Sequence, residues 1–153
     1  MPSLILTNSV SKAHNLKRLQ LVVDDPVTAI SEAIWDDVTS NANAAYVGSG
    51  TSYMSVSSTS AGGYAARVFK VIPKSEYKIT AVMTAVLGGG DATLEVGIEA
   101  GDESLVDENI DSGGGTAIAT FNAGNRKTIW VTLVTNSTSS AAYWDSIKIE
   151  ETG

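Results

Sequence analysis

From Thr51 to the C-terminus, apolar and polar residues alternate with a period of two, and no other feature constrains the fold as much. Successive side chains of a strand point to opposite faces, whereas a helix needs apolar spacings of three and four. Tyr77, Ile79, Ala81, Met83 and Ala85 alternate with Lys78, Thr80 and Thr84, and Leu94, Val96 and Ile98 with Thr93, Glu95 and Glu99. The pattern predicts strands over 53–57, 64–72, 77–86, 92–99, 116–121, 127–134 and 141–150. Turns fall at Pro73-Lys74-Ser75-Glu76, Gly88-Gly89-Gly90-Asp91, Gly113-Gly114-Gly115 and Thr135 to Ser140, where glycine or short polar residues suit reversed backbone. Short strands at this spacing, each with one apolar face, predict an all-β sandwich or barrel.

The first fifty residues are less regular. Residues 3–7 and 19–23 read as strands, joined by a polar stretch that holds the only histidine, His14. Asp25 followed by Pro26, with Val27, Ile30, Ala33 and Ile34 behind them, predicts a short helix running to about Asp37, with Asp25 as N-cap and Pro26 in its first turn. Residues 39–50 read as loop. There is no internal repeat and no proline-rich linker, so residues 1–153 are expected to form one domain, large enough to bury a core without disulfides.

The chain has no cysteine, which excludes a disulfide framework, a thiolate metal site and a cysteine nucleophile. A net charge of −7 repels phosphate, disfavouring nucleic acid and anionic membranes as partners. The N-terminal Met1-Pro2-Ser3-Leu4-Ile5 lacks a cationic signal-peptide start, and no run approaches the roughly 18 apolar residues of a membrane span. The expectation is a soluble protein made in the cytoplasm.

Phe69-Lys70-Val71-Ile72-Pro73-Lys74-Ser75-Glu76-Tyr77-Lys78-Ile79-Thr80-Ala81, then Ala92 to Ile98, Ile129 to Leu133 and the closing Ala142-Tyr143-Trp144-Asp145-Ser146-Ile147, together resemble the carbohydrate-binding-module family with a galactose-binding-like jelly roll. Leu4-Ile5-Leu6-Thr7-Asn8 is similar to that family's first strand. Two departures stand out: Lys74-Ser75 replaces the glycine usual before the tyrosine strand, and Ser146 replaces a second terminal aspartate. The resemblance implies a two-sheet antiparallel jelly-roll β-sandwich. It does not imply one function, since such domains also serve as structural or adhesive modules in bacteriophage particles.

Extending the core parity of Ile147 and Ile149 along the last strand turns Tyr143 and Asp145 inward and Trp144 outward. The parity of Ile129, Val131 and Leu133 turns Trp130 outward as well. Outward indoles fit three readings: burial beneath the segment 16–47, a protein interface, or stacking on a sugar ring. Trp35 and Tyr46, in the irregular region, are the next candidates for ligand or interface binding.

Two acidic groups bear on metal binding. Asp107, Asn109 and Asp111 have the spacing of the first three ligands of a calcium loop, but Ser112 stands where that loop needs glycine and Ile118 where it needs glutamate. A solvated acidic hairpin loop is the plainer reading. Asp145 at the core edge is expected to be held by backbone amides; in the resembling family such a position can lie near a structural calcium, which makes calcium the one cofactor to consider.

His14 has no partner motif, and no nucleophile elbow, phosphate loop or histidine-rich metal motif is present, so no catalytic residue is assigned and a non-enzymatic role is expected. Asn136-Ser137-Thr138 reads as a polar turn. Two functions remain. One is a bacteriophage virion structural protein on the particle surface (capsid decoration, fibre or tail accessory subunit) partnered by virion proteins or by itself as a homo-oligomer. The other is a soluble carbohydrate-binding module.

Overall fold

The computed structural model describes residues 21–26, 37–38, 42–49, 51–59, 63–137 and 139–153, and every regular element among them is a strand. In chain order these are β1 (Leu21–Pro26), β2 (Asp37–Val38), β3 (Ala42–Ser49), β4 (Thr51–Ser58), β5 (Gly63–Lys70), β6 (Glu76–Leu87), β7 (Ala92–Gly97), β8 (Val106–Ile110), β9 (Gly115–Asn122), β10 (Thr128–Thr135) and β11 (Ser140–Glu151). They form two antiparallel sheets, one of six strands ordered β3-β4-β11-β6-β9 with β1 also on β11, and one of five ordered β2-β5-β10-β7-β8. This is the expected jelly-roll sandwich.

The core lies between the sheets, as strand alternation requires. The six-stranded sheet contributes Tyr77, Ile79, Ala81 and Met83 from β6 and Ala142, Trp144, Ile147 and Ile149 from β11. Facing them are Ala65 of β5, Leu94 and Val96 of β7, and Ile129, Val131 and Leu133 of β10. Tyr77 stacks on Phe121 at 5.7 Å between ring centroids, and its hydroxyl accepts the Ile72 N–H at 2.7 Å. Ser75 Oγ donates to the buried Glu151 Oε1 at 2.6 Å, satisfying an acid at the inward end of β11.

The last strand departs from its expected parity. Trp144 is fully buried in the core, not outward, and Asp145 is half-exposed, not inward. The cause is a pair of bulges. Between the pairs Tyr143↔Ala85 and Trp144↔Met83 strand β6 has one extra residue, Thr84; between Trp144↔Met83 and Ser146↔Val82 strand β11 has one, Asp145. Each extra residue reverses the facing of everything beyond it. Hence Ala142 and Trp144 point inward on even numbers while Ile147, Ile149 and Glu151 do so on odd ones. The two inserted residues meet, with Thr84 Oγ1 donating to Asp145 Oδ2 at 2.6 Å, so a side-chain hydroxyl holds this aspartate rather than backbone amides. Gly114 (φ 85°) packs on the Thr84 and Met83 carbonyls at the bulge, where a Cβ would have no room.

The N-terminal expectations need correction too. Asp25 and Pro26 do not cap and start a helix; they end strand β1, opposite Ile147 and Ser146 of β11. Proline is tolerated there because the end of a strand can forgo a ladder donor. Residues 42–49, expected as loop, are β3, paired along its length with β4. Asp37, where that helix was expected to end, opens strand β2; residues 27–36, the strand at 3–7 and His14 lie outside the described residues.

Candidate functional site

The outer face of the five-stranded sheet gathers the candidate site. Because Ile129, Val131 and Leu133 of β10 are core residues, Thr128, Trp130, Thr132 and Val134 point the other way. The registers set them in rows: Val68-Trp130-Gly97, Ala66-Thr132-Glu95-Asp107 and Tyr64-Val134-Thr93-Asn109. Trp130 is half-exposed, as its parity led us to expect.

The segment from Ile98 to Leu105 turns back over this face. Gly101 N–H donates to Thr132 Oγ1 at 3.0 Å, and Gly101 lies against the Tyr64 ring. Thr132 is consequently 0% exposed although it points away from the core. Next to it, Asp102 occupies the space that a side chain on Gly97 would fill, which sets its carboxylate over the residue that faces Trp130 across the ladder. Any residue larger than glycine at position 97 would drive Asp102 off the sheet.

Asp102 is fixed in orientation. Its Oδ2 accepts Ile98 N–H at 2.7 Å and Ser104 Oγ–H at 2.8 Å, and its Oδ1 accepts Ser104 N–H at 3.0 Å. The Ile98 amide first, then the Ser104 hydroxyl, hold its carboxyl below the ordinary value. Glu95 shows the opposite behaviour. Its carboxyl is pushed up to about 7, chiefly by burial and then by the negative charges of Glu103, Asp107 and Asp102. Near neutral pH the face therefore presents an aromatic ring, a fixed hydrogen-bond acceptor, and a carboxyl that both donates and accepts. On the far row Asn136 Nδ2 donates to Thr93 Oγ1 at 2.7 Å, so Asn136 ties the turn to the sheet.

The other sequence-derived candidates are dispersed. Trp144 leaves the surface entirely; its buried Nε1 has no hydrogen-bond partner. Tyr46 is a β3 residue opposite Met54, in the other sheet, and Trp35 lies outside the described residues. Asp107 and Asn109 stand on strand β8 and point outward with Glu95 and Thr93, while Asp111 follows in the turn, its carbonyl accepting Gly114 N–H at 3.0 Å. Their spacing is thus drawn out along a strand rather than wound round a loop. Asp145 is in the opposite sheet, bonded to Thr84. Among the described residues no three histidine, cysteine or acidic side chains are grouped to hold a metal ion.

Sequence reasoning singled out neither Asp102 nor Glu95. Gly97 at the end of a strand, followed by Asp102-Glu103-Ser104, was the available signal: glycine in a strand marks close approach of another segment.

No family model matches the chain, and no curated protein matches it. Solved structures do. The CBM22-1 xylan-binding domain of Paenibacillus barcinonensis Xyn10C superposes with a TM-score of 0.66 at 13% identity, covering 87% of this chain and 95% of that one. The carbohydrate-binding module CBM6cm-2 of Cellvibrio mixtus lichenase 5A, in complex with cellotriose, matches with a TM-score of 0.53 at 15% identity over 88% of this chain and 100% of the other. The CBM36-1 domain of a multidomain xylanase from the hindgut metagenome of Trinervitermes trinervoides gives 0.55 at 11% identity, covering 86% and 98%. These three neighbours of the sandwich are carbohydrate-binding modules, and at these identities the likeness is one of fold.

Proposed function

We propose that this chain is a carbohydrate-binding module that takes a sugar on the outer face of its five-stranded sheet. The observation that carries the reading is the juxtaposition of half-exposed Trp130 with the pinned carboxylate of Asp102. An indole offers its flat face to the C–H side of a pyranose, and a fixed carboxylate beside it accepts a ring hydroxyl without losing side-chain freedom on binding. Glu95 adds a group able to donate or accept. No step of bond making or breaking is invoked. The fold neighbours support the same class, since one is described as xylan-binding and another holds cellotriose.

The virion-subunit reading drew in part on outward indoles at 130 and 144. With Trp144 in the core, only Trp130 of the two is left at a surface. Xylan and cello-oligosaccharides are the first ligands to test. Calorimetric titration should detect binding to one of them that Trp130→Ala removes and Asp102→Asn weakens by about tenfold. Absence of binding across a broad panel of plant and microbial polysaccharides would defeat the reading.

A further inference from the structure

Strand β9 is an edge of the six-stranded sheet, bonded to β6 alone: no other strand and no further backbone hydrogen bond among the described residues reaches 115–122. Edge strands are normally guarded by charge, proline or a bulge, because their free N–H and C=O groups accept another strand. The neighbouring edge of the other sheet, β8, is guarded in this way by Asp107 and Glu108, with Asp102 and Glu103 just before it. Strand β9 is not. From Ser112 to Asn125 the chain has no charged residue, although it carries 10 basic and 17 acidic residues in all.

The edge is open as well as neutral. Thr116, Ile118, Thr120 and Asn122 are exposed, Ile118 to 55%, and even Ala119, which points inward by parity, is half-exposed. The residues there read Thr116-Ala117-Ile118-Ala119-Thr120, the same in either direction. An antiparallel pairing centred on Ile118 sets isoleucine against isoleucine, alanine against alanine and threonine against threonine, with every outward residue meeting an outward one. Such a palindrome is what a two-fold contact between identical strands needs.

We infer that two copies of this chain pair through β9, edge to edge about a two-fold axis at Ile118, joining their six-stranded sheets into one continuous sheet. A neutral strand lets molecules of charge −7 approach without like charges opposing each other at the contact. The contact is small beside the roughly 1,200–2,000 Å² of a stable interface, so the dimer is weak and reversible. It leaves the outer face of the five-stranded sheet free and is independent of the glycan reading.

Sedimentation equilibrium of the full chain from about 10 µM to about 1 mM tests this. The average mass should rise toward twice the monomer, while Ile118→Lys stays monomeric with unchanged circular dichroism and Leu87→Lys, at an equally exposed position (53%), dimerises like the parent. Amides of 116–120 should gain hydrogen-exchange protection with concentration. A parent protein that stays monomeric throughout, an Ile118→Lys variant that dimerises equally well, or growth beyond the dimer would each overturn the inference. So would β9 taking up an extended strand from a different protein while the chain itself remains monomeric.

Discussion

Replacing Glu95 with glutamine is expected to stabilise the protein above neutral pH and to leave it unchanged in acid. Glu95 sits directly across the ladder from Asp107 and close to Glu103 and Asp102, partly covered by the segment that returns over the sheet. Its carboxyl moves from 4.5 to about 7 on folding. The folded form therefore holds a proton that the unfolded chain has released between these values, and stability falls as pH rises through that window. At roughly 1.4 kcal/mol for each tenfold change in proton affinity, the full effect has a ceiling of about 3 kcal/mol. The side chain is half-exposed and solvent screens its neighbours, so about 1–2 kcal/mol reaches the folding equilibrium. Urea unfolding of the parent and Glu95→Gln, followed by circular dichroism at pH 4, 5, 6, 7 and 8, reads the difference directly. The two midpoints should coincide at pH 4 and separate progressively to pH 8, with glutamine the more stable. A difference independent of pH, or one that grows toward acid, would refute this placement of the charge.

Two further substitutions probe the fold. Trp144→Ala should cost about 3–5 kcal/mol in denaturant unfolding, as expected for emptying a fully buried indole, while Trp130→Ala should cost less than about 1 kcal/mol; equal costs would place both indoles in one environment and contradict the bulge. Lys74 occupies the third position of the Ile72-Pro73-Lys74-Ser75 turn at φ 67°, where Ser75 N–H donates to Ile72 O at 3.3 Å, so Lys74→Gly should raise stability by about 0.5–1 kcal/mol by relieving left-handed strain, with a lowered unfolding midpoint as the opposing result.

The sandwich was legible because most of its strands keep strict alternation, and turn residues mark their ends from Tyr64 onward. What escaped was local. Parity extrapolated along β11 failed at Asp145 because a bulge is a one-residue insertion relative to a partner strand, and the partner cannot be seen in a single strand's pattern. Strand β3, Ala42–Ser49, holds three alanines, an asparagine, a glycine and a serine among its eight residues; its propensity says loop, and pairing with β4 overrides it. Strand β8 hid inside an acidic run in which only Val106 and Ile110 reach the core. The unusual Lys74-Ser75 turn, by contrast, was visible as a missing glycine, and the left-handed lysine shows why glycine is expected there. Of the site, Trp130 could be read from its neighbours' parity. Asp102 and Glu95 could not, since their roles arise from a returning segment and from cross-strand charges.

The most direct test of the sugar site is a two-dimensional NMR titration that follows the indole Nε1–H resonances while xylan fragments and cello-oligosaccharides are added. The Trp130 resonance should shift in a saturable way with at least one of them, and that of Trp144, sealed in the core, should stay in place. A saccharide that binds while leaving Trp130 unmoved would contradict the account.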